Sequence, residues 1–147
     1  MQVFFISAFE FDFQQNKELI AFVEKSDLTM NPEIRKHICH IINAHYIWLQ
    51  RLNQQKIESD MWDDLPFYSW EKLTSENAAQ THLFVMNHDL ASFVSYEEEG
   101  AIVTHQNSTV LYHILQHSVH HRAIIYQLLK ENGSIYVGKE YIDWQKT

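Results

Sequence analysis

Glycine and proline together supply only five of the 147 residues. These residues interrupt helices and allow tight reversals, so a chain this poor in them has few places to turn. Many short strands joined by turns are disfavoured, and a few long helices are favoured. Hydrophobic content is 46% and charged content 20%, which is enough apolar side chain for a core and too much for a disordered chain. The length suits one well-buried domain, residues 1–147, and is short for two.

Apolar spacing divides the chain. Phe9, Phe13, Leu19, Ile20, Phe22 and Val23 predict a first helix over about 8–24. Asn31-Pro32-Glu33 opens the second, with Asn31 as cap and Pro32 in the first turn. Ile34, Ile38, Ile41, His45, Trp48 and Leu52 then recur at helical spacing to about Gln54. Residues 56–73, rich in acidic and aromatic side chains, read as a long irregular crossover. A third helix is expected from a cap at Thr74 or Ser75 to about Ala91. Phe93–Glu97 and Ala101–Thr104 change period and can pair as a short hairpin across Glu98-Glu99-Gly100. A fourth helix, capped by Asn107 or Ser108, runs to about Glu131 and stops at Asn132-Gly133. Tyr136, Tyr141 and Trp144 suggest a tail laid over the helices. The expected fold is all-α: a four-helix bundle with a long crossover between helices 2 and 3 and a short β-hairpin before helix 4.

Net charge is −8 with histidine neutral, a poor electrostatic match to nucleic acid. No apolar run is long enough to span a membrane. The N-terminal MQVFFISAFEFDF has no basic region and carries Glu10 and Asp12, unlike a signal peptide. The single cysteine, Cys39, cannot form an internal disulfide and reads as a small buried residue. A cytoplasmic protein acting on a small molecule is expected, with neither nucleic acid nor membrane as partner.

Against this plain background stands H-I-L-Q-H-S-V-H-H-R, His113 to Arg122, with four histidines in nine residues. On a helical wheel Val110, Ile114, His117, His121, Ile125 and Leu128 form one core-facing stripe. His117 and His121 are four residues apart, so their rings leave adjacent turns side by side, as metal ligands on one helix do. The glutamate of H-E-x-x-H proteases is missing. His113 and His120 lie about 40° and 60° off the stripe and suit supporting or pocket positions. A third ligand can come from helix 2, where spacing alone leaves two choices. His45 lies near the middle of the apolar stripe, and His40 lies roughly 110° from its centre, where it could face a cleft. The wheel leans to His45. His37, His82, His88 and His105 read as incidental, and Asp60, Asp63 and Asp64 as a solvated loop. Trp48 suits core or pocket wall. Arg122 either pairs with a carboxylate that steadies the site or reaches solvent.

The segment His40-Ile41-Ile42-Asn43-Ala44, with Trp48 and Leu49-Gln50-Arg51, resembles the H-I-L-N-A-x-x-x-W-x-x-R stretch of the DinB/YfiT-like family. His113 to Arg122 is similar to that family's H-V-x-N-H-S-x-H-H-R. The resemblance covers nearly the whole chain and implies a four-helix bundle, usually dimeric, holding one divalent metal through three histidines. By position those are His40, His117 and His121, because the helix-2 ligand precedes the tryptophan by eight residues. The chain departs from the pattern in having Ala123-Ile124-Ile125 after His121-Arg122, where the family continues G-Q-I. Its tail also lacks the usual Pro-Pro and Thr-Asp. Three neutral imidazoles leave a coordination position free, as in catalytic sites, and suit zinc, with nickel or another first-row ion as alternatives. A metal there can activate a bound water, which points to hydrolysis, and the resemblance implies thiol-dependent S-transfer with a low-molecular-weight thiol. A non-enzymatic metal-binding or stress-response role is the alternative.

Overall fold

The computed structural model describes residues 1–146. Four long helices dominate it: α1 (Gln2–Lys25), α2 (Pro32–Leu52), α3 (Trp70–Asn87) and α4 (Asn107–Glu131), with a one-turn α5 (Tyr141–Trp144) in the tail. The hairpin β1 (Phe93–Glu98) and β2 (Ala101–Gln106) precedes α4 and pairs antiparallel from Phe93↔Gln106 to Glu98↔Ala101. Its two-residue turn, Glu99-Gly100, has φ of 49° and 79°, the double left-handed geometry that suits the twist of a hairpin. The chain is thus the mostly helical bundle with a short hairpin that its spacing predicts.

Helix starts follow two kinds of chemistry. At α2 the expected cap operates: Asn31 Oδ1 accepts from the Ile34 N–H at 3.1 Å, with Pro32 at the first position. At α4 no side chain caps the helix. The N–H groups of Asn107 and Ser108 instead donate to the carbonyls of Ser92 and Leu90, at 2.9 and 3.0 Å. Two helices begin earlier than the spacing suggests. α1 starts at Gln2, because Phe5 is buried with Phe9 and Gln2 Nε2 donates to the Val85 carbonyl at 3.0 Å. α3 starts at Trp70, whose fully buried indole donates to the Leu65 carbonyl at 3.1 Å. Burial of a large aromatic thus extends α1 beyond its clear spacing and, at α3, outweighs the cap expected at Thr74 or Ser75.

The long helices pack in the cyclic order α1–α3–α2–α4. Contacts between α2 and α3 advance together: Arg35 lies over Trp70, Asn77 Nδ2 donates to the Ile42 carbonyl, and His45 meets Thr81. The two helices therefore run parallel, and only a connection that returns along α2 can join them. Residues 53–69 make that return, and α2 side chains fasten them. Arg35 Nη2 reaches Asp64 and the Leu65 carbonyl, Cys39 Sγ accepts from the Leu65 N–H, His40 meets Met61, and Asn43 Nδ2 donates to the Asp63 carbonyl.

The core has two apolar ends. Phe5, Phe9, Leu49, Phe84, Val94 and Leu111 gather at one, and Leu19, Val23, Ile38, Trp70, Ile125 and Leu129 at the other. A polar belt crosses between them. There Arg122 Nη1 donates to the Asp12 carboxylate, to Asn16 Oδ1 at 2.9 Å and to Ser118 Oγ at 2.7 Å, all four residues being buried. Of the two alternatives open for Arg122, it pairs with a carboxylate, that of Asp12 on α1, and does not reach solvent. Removing one member of such a buried pair typically costs about 3–5 kcal/mol, because it strands the other charge.

The tail lies over α1. Tyr141 stacks edge-on to Phe11, and the Lys139 N–H donates to Gln15 Oε1 at 2.8 Å. A Cβ at position 138 would come within 2.6 Å of the Tyr126 hydroxyl, so Gly138 permits this close approach.

Candidate metal centre

The neighbouring helices α2 and α4 run antiparallel, with His37 opposite His121, His40 opposite His117 and Trp48 opposite His113. This pairing brings His40, His117 and His121 together. One nitrogen of each lies within 4.8 Å of the others, close enough for one ion to bind all three. The ring centroids are 4.4 to 4.7 Å apart. Among the described residues no fourth histidine, cysteine or carboxylate joins the group.

Hydrogen bonds orient the rings. A carbonyl can only accept, so the 2.9 Å contact between His40 Nδ1 and the Met61 oxygen places the proton on Nδ1. His40 Nε2 then carries a lone pair, and it faces His117 Nε2 at 2.9 Å. His121 turns its own Nδ1 to His37 Nδ1 at 2.9 Å. With these Nδ1 atoms engaged outward, the Nε2 atoms are left for an ion. Such partners behind a ligand set its tautomer and raise its basicity. Trp62, from the crossover, stacks flat on His40 with centroids 3.6 Å apart.

Electrostatics favour neutral rings. Burial lowers the pKa of His117 to about 4, helped by the neighbouring His40, His113 and His120. Burial, with the neighbouring His117, His40, His37 and His120, lowers His121 to about 3. Burial also lowers His40, against the pull of the Met61 bond and of Asp60. Three converging imidazoles that resist protonation and present lone pairs fit a divalent ion. A proton bridge could satisfy only one pair of facing nitrogens.

The other expected site residues fall around this centre. His45 turns away: Nε2 lies 2.7 Å from Thr81 Oγ1, which itself donates to the Asn77 carbonyl, so His45 Nε2 carries the proton. Part of the residue reaches solvent, but the ring packs inside the bundle against Phe9. Trp48 and His113 meet edge to face at 4.7 Å, and His113 stands 5.9 Å from His117. His120 is exposed and touches His121 edge-on at 5.0 Å. Arg122 reaches α1 and not the histidines. The aspartates shape the crossover: Asp63 Oδ2 accepts from the Asp60 N–H, and Asp60 Oδ1 from the Trp62 N–H.

Three participants escaped the sequence. His37 read as incidental, although its place three residues before His40 puts it on the same side of the helix. Trp62 sits in an irregular segment where no periodicity reports a direction. Met61 takes part through its backbone carbonyl, which no side-chain pattern could reveal.

A family model describing the DinB family matches residues 5–145, so the chain belongs to that family. No curated protein and no solved structure matches it.

Proposed function

We propose that this DinB-family chain is a metal-dependent enzyme acting on a small molecule. The observation that carries the reading is the three-histidine group, which leaves coordination positions for an outside molecule. A divalent ion, zinc by the donor set with nickel or another first-row ion as alternatives, supplies Lewis-acid activation of a water or of a thiol. Hydrolysis and transfer to a low-molecular-weight thiol are the two reactions this supports. The chain's own residues prepare the site: the Met61 carbonyl fixes the His40 tautomer, burial keeps the rings neutral, and Trp62 covers one face of His40.

A second reading rests on His37, whose ring already meets His121. Were it to turn inward as a fourth ligand, the site would be closed, and a non-enzymatic metal-binding role would follow.

The test begins with elemental analysis of untagged protein purified without chelator or a nickel column. About one ion per chain, lost in both His40→Ala and His117→Ala, supports the site. Cobalt substitution then separates the readings. If adding a small thiol shifts the cobalt absorption bands, an exchangeable position exists, and screens of thiol transfer and hydrolysis follow. Bands indifferent to thiols and other small ligands favour the closed site. A chain that takes up no zinc, nickel or manganese overturns both.

A further inference from the structure

One turn along α4 from His117, the cleft between α2 and α4 widens into a cavity of about 300 Å³. Trp48, Tyr96, Glu98, His105, Thr109 and His113 line it. Behind it lies Arg51. Its guanidinium carbon lies over two lining rings, 4.3 Å from the Trp48 centroid and 4.8 Å from that of Tyr96. The same group is short of partners: Nε and Nη1 are buried without a hydrogen bond, and so is the Tyr96 hydroxyl. Glu98 Oε1 stands 3.6 Å from Nη1, an ion pair too long for a hydrogen bond. The Glu98 side chain is 45% exposed, whereas that of Arg51 is 13% exposed.

A guanidinium with two buried, idle nitrogens is costly, and buried polar groups in native proteins are nearly always satisfied. The two rings, which meet edge to face, attract the Arg51 charge but offer no acceptor to its N–H groups. Withdrawal of the half-exposed Glu98 carboxylate would open those donors and the Tyr96 hydroxyl to the cavity. A planar anion on an aromatic or apolar stem could then bond to the guanidinium while its stem packs on Trp48 and His113. A cationic guest would meet Arg51 already seated on both rings.

We infer that this cavity binds a carboxylate or similar anionic group of the substrate, with Arg51 as its anchor and Glu98 as a displaceable plug. The inference rests on the enzyme reading for the word substrate, since His113 stands 5.9 Å from His117 and so joins the cavity to the histidine centre. Arg51 is a specificity residue in this scheme: it holds the far end of the molecule while the reacting end lies at the histidines.

The test is calorimetric titration of the metal-free full chain with benzoate, benzamide and benzylamine. Metal-free protein is used because a carboxylate also ligates metal ions. Benzoate should bind, and the other two should not. Glu98→Gln should tighten benzoate binding, because the competing carboxylate is gone. Arg51→Met should weaken it roughly ten- to hundredfold, as expected for loss of a charge-assisted hydrogen bond. Arg51→Lys, which keeps the charge, should restore part of the loss, and it guards against misfolding in the methionine variant. Tyr96→Phe should weaken binding less. Absence of benzoate binding, a preference for benzylamine, or affinity unchanged in both Arg51 variants would overturn the inference. Metal content is measured on the same preparation before chelation. A chain that binds benzoate but no metal keeps the anion site and loses the enzyme reading, and the converse result does the opposite.

Discussion

His40 and His45 stand five residues apart on α2, and burial lowers the pKa of both. Their surroundings assign them opposite tasks. The His45 proton sits on Nε2 and goes to Thr81 of α3. His40 spends its proton on the Met61 carbonyl, and its remaining lone pair faces His117. The difference lies in what the neighbouring segment offers. A hydroxyl whose own hydrogen is already committed saturates one imidazole. A backbone carbonyl on the outer side turns the free nitrogen of the other towards His117. Burial alone therefore does not distinguish a structural histidine from a ligand; the direction of its one N–H bond does.

Loss of either histidine in turn should separate the two roles most widely. His40→Ala should abolish metal retention, whereas His45→Gln should leave the ion content at its wild-type level, both read by elemental analysis. Acid should separate the two next. Burial takes the folded pKa of His45 down to about 4, while an unfolded histidine titrates near 6.5. Between these values the unfolded chain binds a proton that the folded chain refuses, so stability falls as pH drops from 6.5 towards 4 and is unaffected above that range. The full penalty from this one group is about 3 kcal/mol. Urea melts of metal-free wild type and His45→Gln across this range should show a shallower acid slope in the variant, and equal slopes would contradict the assignment.

Smaller effects test the supports. His37→Ala removes the group behind His121 and should weaken metal affinity about 10- to 100-fold without changing the stoichiometry, as measured by competition with a chromogenic chelator. Thr81→Val deprives His45 of its acceptor and should cost about 1–3 kcal/mol in stability while metal binding stays intact. If Thr81→Val lowers metal affinity instead, the two histidines are coupled through α2 and do not have separate tasks.

How much of this was readable from residues alone varied with the physics involved. The helices were legible because buried side chains recur every three to four positions, as Ile34, Ile38 and Ile41 do. Their starts were not, where burial of Phe5 extends α1 and burial of Trp70 outweighs the cap at Thr74 or Ser75. His117 and His121 were legible as neighbours on one face, since a single helix sets that relation. The partner on α2 was not: the wheel favoured His45 because it lies mid-stripe, but that stripe faces α3 as well as α4, and spacing cannot tell which neighbour a core position meets. Only the family resemblance pointed to His40. The supports from the crossover were out of reach, because Trp62 and the Met61 carbonyl belong to a segment without a repeat.

The belt of Arg122, Asp12, Asn16 and Ser118 lies apart from the histidines, yet it bears on how sharply they are placed. Apolar faces tolerate sliding, since one methyl group substitutes for another. A guanidinium does not. Were α4 to slip along α1 by one turn, about 5.4 Å, Arg122 would keep one of its α1 partners and trade the other for Ala8 or Ile20. The belt thus acts as an axial detent, a notch that admits one longitudinal setting of α4. Ion coordination demands donor positions good to about 0.2 Å. A setting that holds His117 and His121 level with His40 is partly inherited from the far side of the same helix.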